Sequence, residues 1–223
     1  MSSLELRKYI TQADNYIFNH GIDEAVIDAY SEASKMAILT EKDIQYGLSL
    51  SKKSKSILNE FVMKQTNGDI WALEKYQQDN NTDPYKFIVN YYELLKLESR
   101  YCFESFMLYM EKNRPYKERF YQPRETPLKR VAQGIQELAD DVLDELFVNC
   151  PSRIGKTQIV KMGYLWFGSR NTELSNLYTA YSDKITKAYY AGLIELIEDP
   201  TYTYKEIFPD NEISKRNGKK ANN

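Results

Sequence analysis

Residues 147–160 read FVNCPSRIGKTQIV. A short apolar run ends at Cys150, the chain turns through Pro151 and Gly155, and Gly155-Lys156-Thr157 opens a helical pattern carrying Ile159, Val160, Met162 and Leu165. A phosphate-binding loop needs a strand that delivers the backbone, a turn whose N–H groups face inward, and a helix whose N-terminus meets the anion. This stretch offers the three in that order. Gly155 has no Cβ, so its backbone can approach a phosphate and take a positive φ. Lys156 is expected to reach the β- and γ-phosphates, and the Thr157 hydroxyl to ligate Mg²⁺. The usual pattern opens with a glycine five places before the second one; Cys150 stands there instead. The tripeptide alone is weakly specific, since a solvated lysine beside an ordinary turn has the same three letters.

The surrounding rhythm strengthens the reading. Leu128–Leu143 has helical spacing, Glu145–Cys150 reads as a short buried strand, and Lys156–Phe167 as a helix. Leu174–Tyr181 reads as a second strand, and Asp183–Ile197 as a helix that Pro200 ends. Alternating helix and strand of this kind predicts a parallel α/β sheet. Upstream the pattern is helical almost throughout. Gly21 stops a first helix, a second carries Val26, Ala29, Tyr30 and Ala33, and a third is expected over Glu41–Gln65 before Asn67-Gly68. After a polar break at 80–84, Tyr85–Lys112 is one long apolar-rich stretch. Pro115, Pro123 and Pro127 mark a boundary or extended connection. The chain is therefore divided into a helical region 1–112, a connection 113–127, an α/β part 128–209 and a basic polar tail 210–223.

Composition excludes several classes. With 42% hydrophobic and 28% charged residues in a chain of 223, a packed core is expected. A formal net charge of -2 gives no case for gripping nucleic acid through the whole surface. Two cysteines and one histidine, His20, have no zinc spacing and fit a reducing compartment. No window resembles a signal peptide or a membrane span, so the chain reads as cytosolic.

Pro151-Ser152-Arg153-Ile154-Gly155-Lys156-Thr157 resembles the Pro-Pro-Arg-x-Gly-Lys-Ser/Thr loop, a variant Walker A, of phage terminase large subunits, the ATP-driven motors that package viral DNA. Ser152 replaces that pattern's second proline. Leu177–Asp183 resembles the family's next strand and its Tyr-Ser turn. Tyr204-Lys-Glu-Ile-Phe-Pro209 is similar to its Tyr-x-x-Ile-Phe-Pro segment, and Phe120–Arg124 with Gln133–Leu138 to the stretch before the loop. The resemblance covers about residues 100–209. It implies an α/β fold, with a helical N-terminal region followed by part of a P-loop NTPase domain, and ATP and Mg²⁺ as cofactors. Residues 151–157 would hold the phosphates. Arg153 would stabilise charge on the γ-phosphate during hydrolysis, Thr157 would ligate the metal, and Gln122 or Arg124 would face the adenine or ribose. Ser182 and Asp183 would lie at the carboxyl edge of the sheet, with Asp183 as a helix N-cap. DNA, a small subunit and a portal ring are the implied partners, a homo-oligomeric ring the implied assembly, and the host cytoplasm the implied location.

One part of the pattern is missing. No apolar strand ending in Asp-Glu follows the loop: Asp144-Glu145 precedes it, and Glu198-Asp199 closes a helical pattern. The acidic cluster of the family's nuclease domain has no counterpart either. The chain is thus expected to be the front of such a motor (a fragment, a truncated gene or one product of a split gene) that does not turn over ATP alone. Two other readings stay open: a helicase-like P-loop ATPase, and a non-catalytic module whose helices dock a partner beside a vestigial half-ATPase.

Overall fold

The structure, a computed structural model, describes residues 3–21, 24–39, 44–66, 85–170 and 176–211. The chain forms two compact units, Met1–Glu98 and Ser99–Asn223.

The first unit contains α1 (Ser3–His20), α2 (Glu24–Leu39), α3 (Ile44–Thr66) and α4 (Tyr85–Glu98). Gly21 at φ +84 ends α1, donating its N–H to Ile17 O, as a glycine just past a helix does. Ile10, Ile27, Tyr30, Ala33, Leu50, Ile57 and Leu58 form its core. α2 and α3 approach closely because small residues line their seam. Ser31 and Ser54 share a hydrogen bond of 3.1 Å, and a Cβ on Gly47 would lie 2.7 Å from Ile38 Cγ1. Asp14 of α1 accepts from Tyr30 Oη of α2 and from Lys53 Nζ of α3, tying three helices together. The buried carboxylate of Glu98 is paired with Lys55. The expected breaks at 67–68 and 80–84 lie outside the described residues.

The second unit contains α5 (Phe103–Met110), two 3₁₀ turns (Tyr116–Glu118 and Gln122–Arg124), α6 (Glu125–Ala139), α7 (Lys156–Arg170), α8 (Asp183–Glu198) and the one-turn α9 (Tyr204–Ile207). The apolar-rich stretch 85–112 forms two helices with a break at 99–102, although no glycine or proline lies there. Gln136 of α6 supplies the reason: its Oε1 accepts the Phe103 N–H at 2.7 Å and its Nε2 donates to Tyr101 O. A distant side chain thus satisfies backbone groups that a continuous helix would have paired internally. Phe103, Phe106, Met110, Leu128, Ile159 and Trp166 are fully buried around this point. The Trp166 indole N–H donates to Ser99 O at 2.7 Å. The proline-containing segment is packed, not extended: Tyr121 is fully buried and Arg119 nearly so. Pro127 sits in the first turn of α6, where its missing N–H has no intrahelical acceptor to lose. α9 is pinned to α5 by Tyr109 Oη and to the turn just after it by Lys112 Nζ, both donating to Glu206.

The parallel sheet expected from the sequence is not formed, and the α/β reading is corrected to a helical fold. Among the described residues there is no strand. Residues 145–150 and 176–180 are the stretches expected to pair (Leu174 lies outside the described residues), and they are neither helical nor laddered. Burial along 145–150 alternates with the twofold period of a strand. Leu146, Val148 and Cys150 are half-buried, while Glu145, Phe147 and Asn149 are exposed. Leu146 packs against Gly134 of α6, where a Cβ would come within 2.8 Å of it. The side chains thus obey a strand's pattern with one face on helices, but a ladder also needs a backbone alongside, and none of the described residues provides one. Phe147 is left 88% exposed and Leu177 87%.

Candidate functional site

Asp140 ends α6 and Asp141 follows at φ +55, with the Val142 N–H donating back to Glu137 O at 2.9 Å. This left-handed cap reverses the chain into residues 145–150, which lead to the loop. Within the loop, Arg153 has φ +67 and Gly155 φ +101. Left-handed residues alternating with ordinary ones turn successive N–H groups toward one side, the geometry of an anion-binding nest. Gly155 precedes α7, and its carbonyl accepts from both Gln158 N and Ile159 N at 3.0 and 3.1 Å. The first N–H groups of a helix have no acceptor inside it. Lys156 and Thr157 begin this one, which runs for 15 residues, and both side chains are exposed. The helix dipole adds partial positive charge at the same end.

The sequence-derived loop residues therefore fall together. Pro151, Ser152 and Arg153 are exposed on the turn, Ile154 and Gly155 are half-buried, and Lys156 and Thr157 stand at the head of α7. The residues present fit a phosphate group through the main chain, because Arg153 and Gly155 both take positive φ just ahead of a helix N-terminus. For Mg²⁺ the fit is narrower. Among the described residues no group of three acidic, His or Cys side chains gathers, so the Thr157 hydroxyl would share the ion with phosphate oxygens and water.

Gln122 and Arg124 lie on the segment before α6. Gln122 is half-buried in a 3₁₀ turn and its Oε1 accepts from Arg119 Nη1 at 2.7 Å. Arg124 instead borders a cleft of about 330 Å³ with Lys117, Phe120, Gln158, Lys161 and Glu195. Lys161 crosses α8 at Gly192, where a Cβ would lie 2.2 Å from its Nζ. Asp183 is the first helical residue of α8, not its N-cap. Ser182 holds the cap position, extended at φ -149, and its carbonyl accepts from Ile185 N and Thr186 N.

Glu111 was not singled out by sequence reasoning. It is 1% exposed, and its two carboxylate oxygens accept the N–H groups of Phe120 at 2.7 Å and Tyr121 at 3.0 Å. Burial pushes its carboxyl above the ordinary range, against the opposing pull of those two N–H groups and of Arg114 and Arg119. A carboxylate closing the largely apolar run SFMLYM was the available signal. Burying a charge is costly unless it is hydrogen-bonded, so such a residue is expected to grip something.

No protein-family model, curated protein or solved structure matches the chain. Among the described residues no helix is long and apolar enough to cross a membrane.

Proposed function

We propose that residues 151–157 bind the triphosphate of Mg-ATP, as the loops they resemble do in terminase large subunits. The observation that carries this reading is Gly155 at φ +101, immediately ahead of the N-terminus of α7. In this reading Lys156 neutralises the β- and γ-phosphates, Thr157 ligates Mg²⁺, and Arg153 faces charge on the γ-phosphate. When bound, Mg²⁺ would supply neutralisation of phosphate charge. The base would lie toward Arg124 and the adjoining cleft. DNA, a small subunit and a portal ring would be partners of the assembled packaging motor, a ring of copies in the host cytoplasm.

The test is equilibrium binding of Mg-ATP to the full chain and to Lys156→Ala. Loss of one charge-assisted contact should weaken binding about 10- to 100-fold. Equal affinity in the two proteins would overturn the phosphate-loop reading. Binding is expected without turnover, so Lys156-dependent phosphate release would contradict the expected lack of hydrolysis. One observation favours a second reading: residues 145–150 and 176–180 form no ladder, so no sheet supports the loop. A non-catalytic interaction module would bind no Mg-ATP at all, and the same titration separates the two.

A further inference from the structure

A Cβ built on Gly155 would lie 2.3 Å from Phe120 Cε2 and 2.9 Å from its Cζ. Real Cβ atoms do not sit so close to a neighbour, so the Phe120 ring occupies the space that a side chain at 155 would need. The ring does not hold that place unaided. Its own N–H and that of Tyr121 are both gripped by the Glu111 carboxylate. Tyr121 is fully buried and its hydroxyl donates to Glu104 Oε1 at 2.7 Å, which fixes the turn from the other side. Arg124 closes the arrangement, donating from Nη1 to Phe120 O at 3.0 Å with its guanidinium 5.7 Å from the ring centre.

We infer that Phe120, held by Glu111, is a positioning residue for the loop: its ring braces Gly155 and keeps the main-chain cradle formed before any anion arrives. This deepens the phosphate-loop reading and rests on it for the ligand. The contact itself is a separate matter of geometry. A turn with left-handed residues at 153 and 155 has other backbone conformations open to it, because glycine populates both signs of φ. A packed ring on one side removes some of them. Preorganisation of this kind raises affinity by removing an ordering cost at the moment of binding.

The experiment is a double-mutant cycle in the full chain with Phe120→Ala, Gly155→Ala and the double variant. The first readout is amide hydrogen exchange at residues 154–158 without ligand, and the second is Mg-ATP affinity. Phe120→Ala should speed exchange in the loop while leaving α6 amides unchanged. Gly155→Ala carries both a clash with the ring and a strained φ in the parent, but only the strained φ once the ring is gone. Its effect should therefore be at least about fivefold smaller in the Phe120→Ala background. Phe120→Leu, which lacks the two ring atoms in contact, should behave like Phe120→Ala while keeping more of the local packing. Glu111→Gln, which offers an N–H where one N–H must be accepted, should loosen the same loop amides. Effects that simply multiply, in exchange and in binding, would overturn the inference. If the parent chain binds no Mg-ATP, the proposed function fails while the exchange cycle still decides whether the brace exists.

Discussion

Asp14 shows how one side chain can couple three helices and make their packing sensitive to acid. Burial alone would raise its carboxyl. The hydrogen bonds from Lys53 and Tyr30, with the Lys53 charge, outweigh that and hold it below its ordinary value of 3.8. The group therefore ionises at lower pH in the folded chain than in the unfolded one. Its stabilisation is complete above 3.8 and is lost as pH falls through the depressed folded value. Asp14→Asn should lower stability at neutral pH by no more than ~1 kcal/mol, since the Lys53 pair is about half exposed. The difference between parent and variant should shrink as urea melts are taken from pH 6 to about pH 3. A constant difference would show that the loss is one of packing, not of charge. The contacts at Asp14 were not legible in the sequence, because they join residues 16 and 39 positions apart in the chain. The glycine at 155 was legible, because a positive φ at the head of a helix is a local demand.

At the level of elements, the helices were read well where their signals are local. Gly21 stops α1, and the apolar spacing of 156–167 lies inside α7. Boundaries that depend on a distant partner were not legible: Gln136 caps the break before α5, and nothing near 99–102 announces it. The end of α6 is an intermediate case. It was expected at Leu143 but falls at Ala139, where Asp141 takes φ +55 without being glycine. Aspartate tolerates this conformation better than most residues, yet not as freely as glycine. Asp141→Gly should therefore stabilise the second unit by about 0.5–1 kcal/mol, read as a raised denaturant midpoint with unchanged m-value. A loss of stability would mean that the Asp141 side chain contributes more than its strained backbone costs.

For the molecule as a whole, the expected sheet is where sequence reading failed. The short apolar run at 145–150 was read as a buried strand, whereas the structure has no strand there and leaves Glu145, Phe147 and Asn149 exposed. Such a run could not indicate whether a second strand lies alongside, which is a property of the neighbourhood. Exposed aromatic residues on unpaired extended chain are an aggregation hazard. Phe147→Ser should change stability by less than about 0.5 kcal/mol while slowing aggregation followed by light scattering. A large loss of stability would show that Phe147 is packed in solution. Electrostatics at this scale has a similar dependence on context. The chain's net charge is -2, yet Lys117, Arg119, Arg124 and Lys161 gather around one cleft. One of those four charges keeps its place only because Gly192 presents a bare Cα beneath it. Gly192→Ala should stabilise α8 by up to ~1 kcal/mol and at the same time weaken Mg-ATP binding in low salt. A methyl group would have moved an ammonium, so the local field is governed in part by a position that carries no charge itself.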